Sequence, residues 1–238
     1  MSATPRRRAL FIAGAGTEIG KTYATAALTR RLREQGRHVL TLKPLASGVP
    51  PIDDPAFAES DTAILLAAQG LSVATETVEA CSPWRFSAPL APDQAAAREG
   101  RKLHLDELVT WCERQLPPHR QPHPDMTVLI EGVGGLMSPI TADATGLDWL
   151  KQLGLPALLV SGSYLGAISH ALTAIETLKA HGVPLAGVVV SESTDAPTPP
   201  EVVSEAIARR VEVTVGIVPR GGAFPGGLAD ALLQGPLG

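Results

Sequence analysis

The run Gly14-Ala15-Gly16-Thr17-Glu18-Ile19-Gly20-Lys21-Thr22 carries the residue types that a polyphosphate needs. Glycines let backbone N–H groups approach anionic oxygens, a lysine neutralises them, and a threonine hydroxyl can hold Mg²⁺. The common phosphate-loop spacing asks for glycine five positions before Gly20; Ala15 stands there, between Gly14 and Gly16. The bland alternative is a glycine-rich turn with an incidental lysine, and the Gly-Lys-Thr ending argues against it. A second signal is Glu131, which closes the apolar run Thr127-Val128-Leu129-Ile130 and precedes Gly132, Gly134 and Gly135. A carboxylate at such a strand end can fix Mg²⁺ or its water opposite the phosphate loop, although Asp is the usual residue. Lys43 ends another apolar run, followed by Pro44 and Ser47-Gly48, and Asp61 follows Ser60 where a helical period begins. By position alone, Lys43 reads equally as a solvated charge and Asp61 as a helix-dipole partner.

These residues need elements to carry them. Ala9–Ala13, His38–Leu42, Thr127–Ile130, Pro156–Val160, Leu185–Val190 and Val213–Val218 read as strands, apolar on both faces. Thr22–Gln35, closed by Gly36, and Asp61–Gln69, opened by Ser60 and stopped by Gly70, read as helices. Leu165, Ile168, Leu172, Ile175 and Leu178 mark one apolar helical face. Such alternation predicts an α/β fold, a mostly parallel open sheet flanked by helices, with the phosphate loop directly after its first strand. There is no internal repeat, Pro117–Pro124 reads as a surface loop, and residues 1–238 are expected to form one domain.

Composition narrows the function. The net charge is −4 and the only basic block is Arg6–Arg8, so no positive stripe marks a nucleic-acid binder. Aromatic residues make up 4%, too few for a base-stacking platform. No apolar run reaches a membrane span, and Ala9–Ala13 is too short for a signal peptide core. Cys81 and Cys112 form no C-x-x-C pair and are expected to be reduced thiols in a soluble, cytoplasmic protein. His119 and His123 sit among prolines that prevent a shared helical face, and His38, His104, His170 and His181 suggest no site either. Trp84-Arg85-Phe86, Trp111 and Trp149 read as packing residues.

Taken in order, five segments resemble the dethiobiotin synthetase family, a resemblance that spans most of the chain. They are Gly14 with Thr17–Thr22, Lys43-Pro44-Leu45-Ala46-Ser47-Gly48, Ser60-Asp61, Glu131–Gly135 and Leu165–His170. The resemblance implies an ATP- and Mg²⁺-dependent cyclo-ligase of biotin biosynthesis, working as a homodimer with substrate near the subunit interface. One amine of 7,8-diaminononanoate takes up CO₂ as a carbamate, which attacks the γ-phosphate of ATP; the second amine then closes the cyclic urea. It further implies Lys43 and Lys21 as catalytic charges, Thr17 and Ser47 as substrate contacts, and Thr22, Asp61 and Glu131 as metal ligands. Nucleotide contacts would come from Glu18, Ile19, Gly20, Lys21, Thr22, Tyr23, Asp61, Glu131, Gly132, Val133 and Gly134. Ser191, Glu192, Pro219, Arg220 and Gly221 would complete them.

Three positions depart from the family pattern: Ser191-Glu192 replaces Asn-Arg, Ser169 replaces Asn, and Ala91-Pro92-Asp93 replaces Ser-Pro-His. Two other readings are weaker. Partition-type ATPases carry a signature lysine where Gly16 stands, and cobyrinate diamide synthases add a glutaminase domain for which 238 residues leave no room.

Overall fold

The computed structural model describes residues 9–116, 126–194 and 196–234. Arg6–Arg8, His119, His123 and the segment expected as a loop over Pro117–Pro124 lie outside them. In chain order the first elements are β1 (Ala9–Gly14), α1 (Lys21–Glu34), β2 (His38–Leu42), β3 (Leu45–Ser47), α2 (Asp61–Gln69), α3 (Thr75–Cys81) and β4 (Trp84–Phe86). Then follow α4 (Pro92–Arg98), α5 (Leu105–Gln115), β5 (Met126–Glu131), α6 (Gly146–Leu153), β6 (Ala157–Ser161) and α7 (Ala167–Ala180). The last are β7 (Leu185–Ser191), α8 (Pro200–Ala208), β8 (Val215–Val218) and α9 (Gly226–Gln234).

Six strands form one sheet in the order β2-β5-β1-β6-β7-β8, every neighbouring pair parallel. The period-2 alternation of β1 assigns its side chains to two layers. Leu10 and Ile12 pack with Leu28, Leu32, Leu228 and Leu232 of α1 and α9, while Phe11 meets Trp149, Leu150 and Leu178 on the opposite face. Trp149 is fully buried and its ring meets Phe11 edge-on at 5.0 Å. Trp84 and Trp111 likewise pack edge-on at 6.0 Å, so the tryptophans pack as the sequence suggested.

Boundaries follow local chemistry. Ser60 accepts a hydrogen bond from the Ala63 N–H and opens α2, and Gly70 at φ 73° closes it. The apolar face read over Leu165–Leu178 holds at Ile168, Leu172, Ile175 and Leu178 and is corrected only at Leu165. Helix α7 begins at Ala167, and its packed side is Ala167, Ala171, Ala174, Ile175 and Leu178. Leu165, before the helix, is 84% exposed, while Ile168 and Leu172 are half-buried, packed against the core on one side and bordering an open groove of about 970 Å³ on the other. Cys81 and Cys112 are free and buried, and burial pushes both thiols up. Among the described residues no helix is long and apolar enough to cross a membrane.

Candidate functional site

The carboxyl ends of β1, β2 and β5 and the amino ends of α1 and α2 converge on one cleft of about 820 Å³. Between β1 and α1 the chain turns too tightly for side chains at Gly14 and Gly20. A Cβ on Gly14 would lie 2.8 Å from the Gly16 carbonyl oxygen and 2.9 Å from that of Gly134. Gly20 has φ 84° and packs directly against the Ser191 hydroxyl. Glu18, at φ 56°, is the one non-glycine with positive φ among the described residues. No side chain caps the start of α1, so its first N–H groups remain available to an anion at the positive end of the helix dipole. Lys21 folds back over the loop and its ammonium donates to the Gly16 carbonyl at 3.0 Å. Burial, then the nearby Lys43 charge, lowers the Lys21 pKa to about 8.

Lys43 leaves the end of β2 and inserts between two carboxylates. Its Nζ lies 2.7 Å from Glu131 Oε1, 2.9 Å from Asp61 Oδ2 and 3.2 Å from the Gly132 carbonyl oxygen. Three acceptors surround a group with three N–H donors, so the ammonium is satisfied although only 3% exposed. Burial alone would lower the Lys43 pKa; Glu131 and Asp61 outweigh it and hold the group well above its ordinary value. Burial would likewise raise the Asp61 carboxyl, but Lys43 overrides it and keeps the carboxyl below its usual range.

Thr22 donates its hydroxyl to Glu131 Oε1 at 2.6 Å, joining the first turn of α1 to the end of β5. The other oxygen of Glu131, Oε2, is buried with no hydrogen-bond partner. An orphaned carboxylate oxygen beside a threonine hydroxyl and the Asp61 carboxylate suits Mg²⁺, which takes oxygen ligands and is usually held by one or two carboxylates plus substrate phosphates. Among the described residues no group of three or more His, Cys, Asp or Glu offers a closed protein cage for a metal.

Most residues expected from the sequence meet here. Thr17, Glu18, Ile19, Gly20, Lys21, Thr22, Tyr23, Lys43, Ser47, Asp61, Val133 and Gly134 line the cleft, while Glu131 and Gly132 support it through Lys43. Ile19 reaches it only in part, because its side chain is buried in the layer under α1. Ser191, Glu192, Pro219, Arg220 and Gly221 lie apart from this lining, at the carboxyl ends of β7 and β8. Ser191 is buried against Gly20, and Glu192 accepts a hydrogen bond from the Arg220 N–H at 2.8 Å. Sequence reasoning missed Ser138, whose hydroxyl accepts from the Gly135 N–H at 2.8 Å and props the glycine turn after β5. A single loop serine gives no sequence signal for that task. The four remaining histidines in the described residues, His38, His104, His170 and His181, stand outside the cleft lining.

Comparison with known proteins agrees with this geometry. A family model described as an AAA domain matches residues 8–222. The ATP-dependent dethiobiotin synthetase BioD of Methylobacterium nodulans is 69% identical over 91% of this chain and 95% of its own length. The protein of that name from Caulobacter vibrioides is 44% identical over 95% of this chain and 99% of its own. In fold, the signal recognition particle receptor FtsY from Elizabethkingia anophelis with GDP aligns at TM-score 0.52 and 13% identity, covering 99% of this chain and 66% of that one. MinD in the Aquifex aeolicus MinC:MinD complex aligns at 0.50 and 14%, covering 94% and 84%. Those structural likenesses speak for the fold alone, while the sequence relatives share nearly their full length: the chain belongs to the ATP-dependent dethiobiotin synthetase family.

Proposed function

We propose that the chain joins 7,8-diaminononanoate and CO₂ into the cyclic urea dethiobiotin at the expense of ATP. The observation that carries this is the Lys43 ammonium, held between Glu131 and Asp61 at the mouth of a phosphate loop. A carbamate and a γ-phosphate are both anionic, so bringing them together requires fixed positive charge rather than acid–base chemistry. Lys21 and Lys43, both in the lining of one cleft, supply it.

The loop N–H groups and Lys21 grip the triphosphate, with the terminal phosphate facing Lys43. Thr17 and Ser47, both in the cleft lining, orient the carbamate and the free amine. When bound, Mg²⁺ at Thr22, Asp61 and Glu131 supplies charge neutralisation between the phosphates. The carbamate oxygen attacks the γ-phosphorus, ADP leaves, and the second amine attacks the carbamoyl carbon, expelling phosphate and closing the ring. Lys43 stabilises charge on the transferring phosphoryl group, and positioning does the rest.

A homodimer is part of the same reading. The open groove along α7, bordered by the exposed Leu165 and the half-buried Ile168 and Leu172, offers an apolar surface suited to a second copy. Cytoplasmic location is consistent with two buried free thiols.

The test is phosphate release from ATP with and without diaminononanoate and bicarbonate. Strict dependence on both is the expected result. ATP turnover that ignores the diamine, or that responds instead to a protein or DNA partner, refutes the synthetase reading. Sedimentation of the purified chain checks the dimer.

A further inference from the structure

The order of the strands bears on where a nucleoside can lie. Lys43, Asp61 and Glu131 belong to β2, α2 and β5, on one side of β1; β6, β7 and β8 lie on the other. A triphosphate whose terminal phosphate faces Lys43 and whose chain crosses the start of α1 would bring its nucleoside toward the ends of β7 and β8. The segment Pro219–Gly222, directly after β8, lies in that direction and is pinned from two sides.

From α1, the Tyr23 hydroxyl lies 3.2 Å from the Pro219 carbonyl oxygen and 3.3 Å from that of Gly222, donating to this pair. From the end of β7, Glu192 Oε2 accepts the Arg220 N–H at 2.8 Å, and the Arg220 guanidinium donates to the Thr194 hydroxyl. Within the turn, the Gly222 N–H donates to the Pro219 carbonyl at 2.9 Å, and Gly221 adopts φ 70°. The turn is exposed at Pro219, Arg220 and Gly221, so no buried apolar side chain of its own fixes it; hydrogen bonds from neighbouring elements do. Ser191, the preceding residue on β7, is buried against Gly20 and turned toward the phosphate loop.

We infer that Glu192 and Tyr23 are positioning residues that hold the Pro219–Gly222 turn as the wall of the nucleoside site. Glu192 sets nucleotide affinity through the Arg220 amide without touching the base, and Tyr23 ties that wall to the phosphate helix. The inference rests on ATP binding at the phosphate loop, as proposed above. It assigns the Glu192 carboxylate the work of a hydrogen-bond acceptor, so a glutamine carbonyl can replace it and an alanine cannot. It also withdraws the Arg220 N–H from base recognition, since that donor is already engaged, and Pro219 has none to offer.

Calorimetric binding of ADP and of inorganic tripolyphosphate to the full chain tests this, because tripolyphosphate reaches only the phosphate loop. Glu192→Ala and Tyr23→Phe are expected to weaken ADP by roughly threefold to tenfold, the scale of one lost hydrogen bond, with tripolyphosphate changed by less than about twofold. Glu192→Gln is expected to bind ADP within about twofold of the parent protein. ADP affinity unchanged in Glu192→Ala overturns the inference. So does an equal loss for tripolyphosphate, which moves the effect to the phosphate loop or the fold, or a Glu192→Gln protein as weak as Glu192→Ala. Unchanged ADP affinity in Tyr23→Phe overturns its half of the clamp. A Lys21→Ala protein that binds ADP like the parent instead refutes the phosphate-loop placement itself, whatever Glu192 does.

Discussion

Replacing Lys43 by Met keeps most of the buried stem and removes only the charge, which separates the two roles the structure gives this residue. Glu131 is fully buried, and Lys43 supplies its one positively charged hydrogen-bond donor, at 2.7 Å. Without it the carboxylate keeps only the Thr22 hydroxyl, and its Oε2 remains unpartnered. Breaking a buried pair by removing one partner costs about 3–5 kcal/mol. The half-exposed Asp61 loses less, because water can replace the ammonium. At roughly 2–4 °C per kcal/mol for a chain of this size, Lys43→Met should melt about 6–20 °C lower. A native domain holds about 5–15 kcal/mol in all, so the variant is expected to remain folded at low temperature. Adding Glu131→Gln should restore much of the lost stability, since the uncompensated charge is then gone. Turnover is a separate readout. Measured where circular dichroism shows the variant fully folded, it should fall by about 10²–10³, the usual cost of one preorganised charge stabiliser. A melting temperature within about 2 °C of the parent would show that the ion pair is not desolvated as the geometry has it. Turnover above about a third of the parent's would remove Lys43 from the charge-stabilising role.

Asp61→Ala and Glu131→Ala should each raise the Mg²⁺ concentration for half-maximal activity more than the diamine KM; equal Mg²⁺ curves for both variants and the parent would dissolve the metal assignment. Gly20→Ala places a side chain at φ 84° and against Ser191, so ATP affinity should fall at least tenfold by roughly 1–2 kcal/mol of backbone strain plus overlap, and parent-like ATP binding would contradict the loop geometry. Lys21, lowered to about 8, should take up a proton when phosphates bind and raise its pKa again. Nucleotide affinity is then flat below that pH and falls as pH rises above it, with proton uptake visible in calorimetry in two buffers and absent in Lys21→Met; a flat profile through about pH 9 refutes this. Because neither Ser191 nor Glu192 is free to span the edge of adenine, CTP or GTP should support turnover within about tenfold of ATP, and an ATP preference above about a hundredfold would show that main-chain groups read the base.

What could be read in the sequence was what local chemistry writes plainly. Helix α2 has both ends as expected, because a serine cap and a left-handed glycine are local facts. Each expected strand matches an observed one, and the largest boundary difference is at β8, which starts at Val215 rather than Val213. Strands β3 and β4, three residues each, are shorter than any period can register. On α7 the large residues of the expected face do pack inward from Ile168 on, but Ala167, Ala171 and Ala174 beside them escaped notice, because a reading by hydrophobicity weighs large residues over the small ones that a close approach to the sheet selects. The site required more than local signals. Lys43 and Glu131 are 88 positions apart and meet only through the strand order; the resemblance gave each a role, one as a catalytic charge and one as a metal ligand, but not the ion pair between them. Glu192 was expected at the base, but its partner Arg220 lies 28 positions on, and nothing in one sequence joins them.

The placement of β5 between β1 and β2 bears on how the chain acquires its shape. β1, α1 and β2 follow one another closely, yet β1 and β2 do not pair; each pairs with β5 through register partners between Met126 and Glu131. Until those residues are present the first two strands have no neighbour across that gap, and their apolar edges stay unprotected. Non-local pairing of this kind slows folding, because a long loop must close before any contact rewards it. During synthesis β1 and β2 therefore lack their shared partner until β5 is made. The same strand delivers Glu131, so the gap between β1 and β2 closes and Lys43 gains its buried partner in one event.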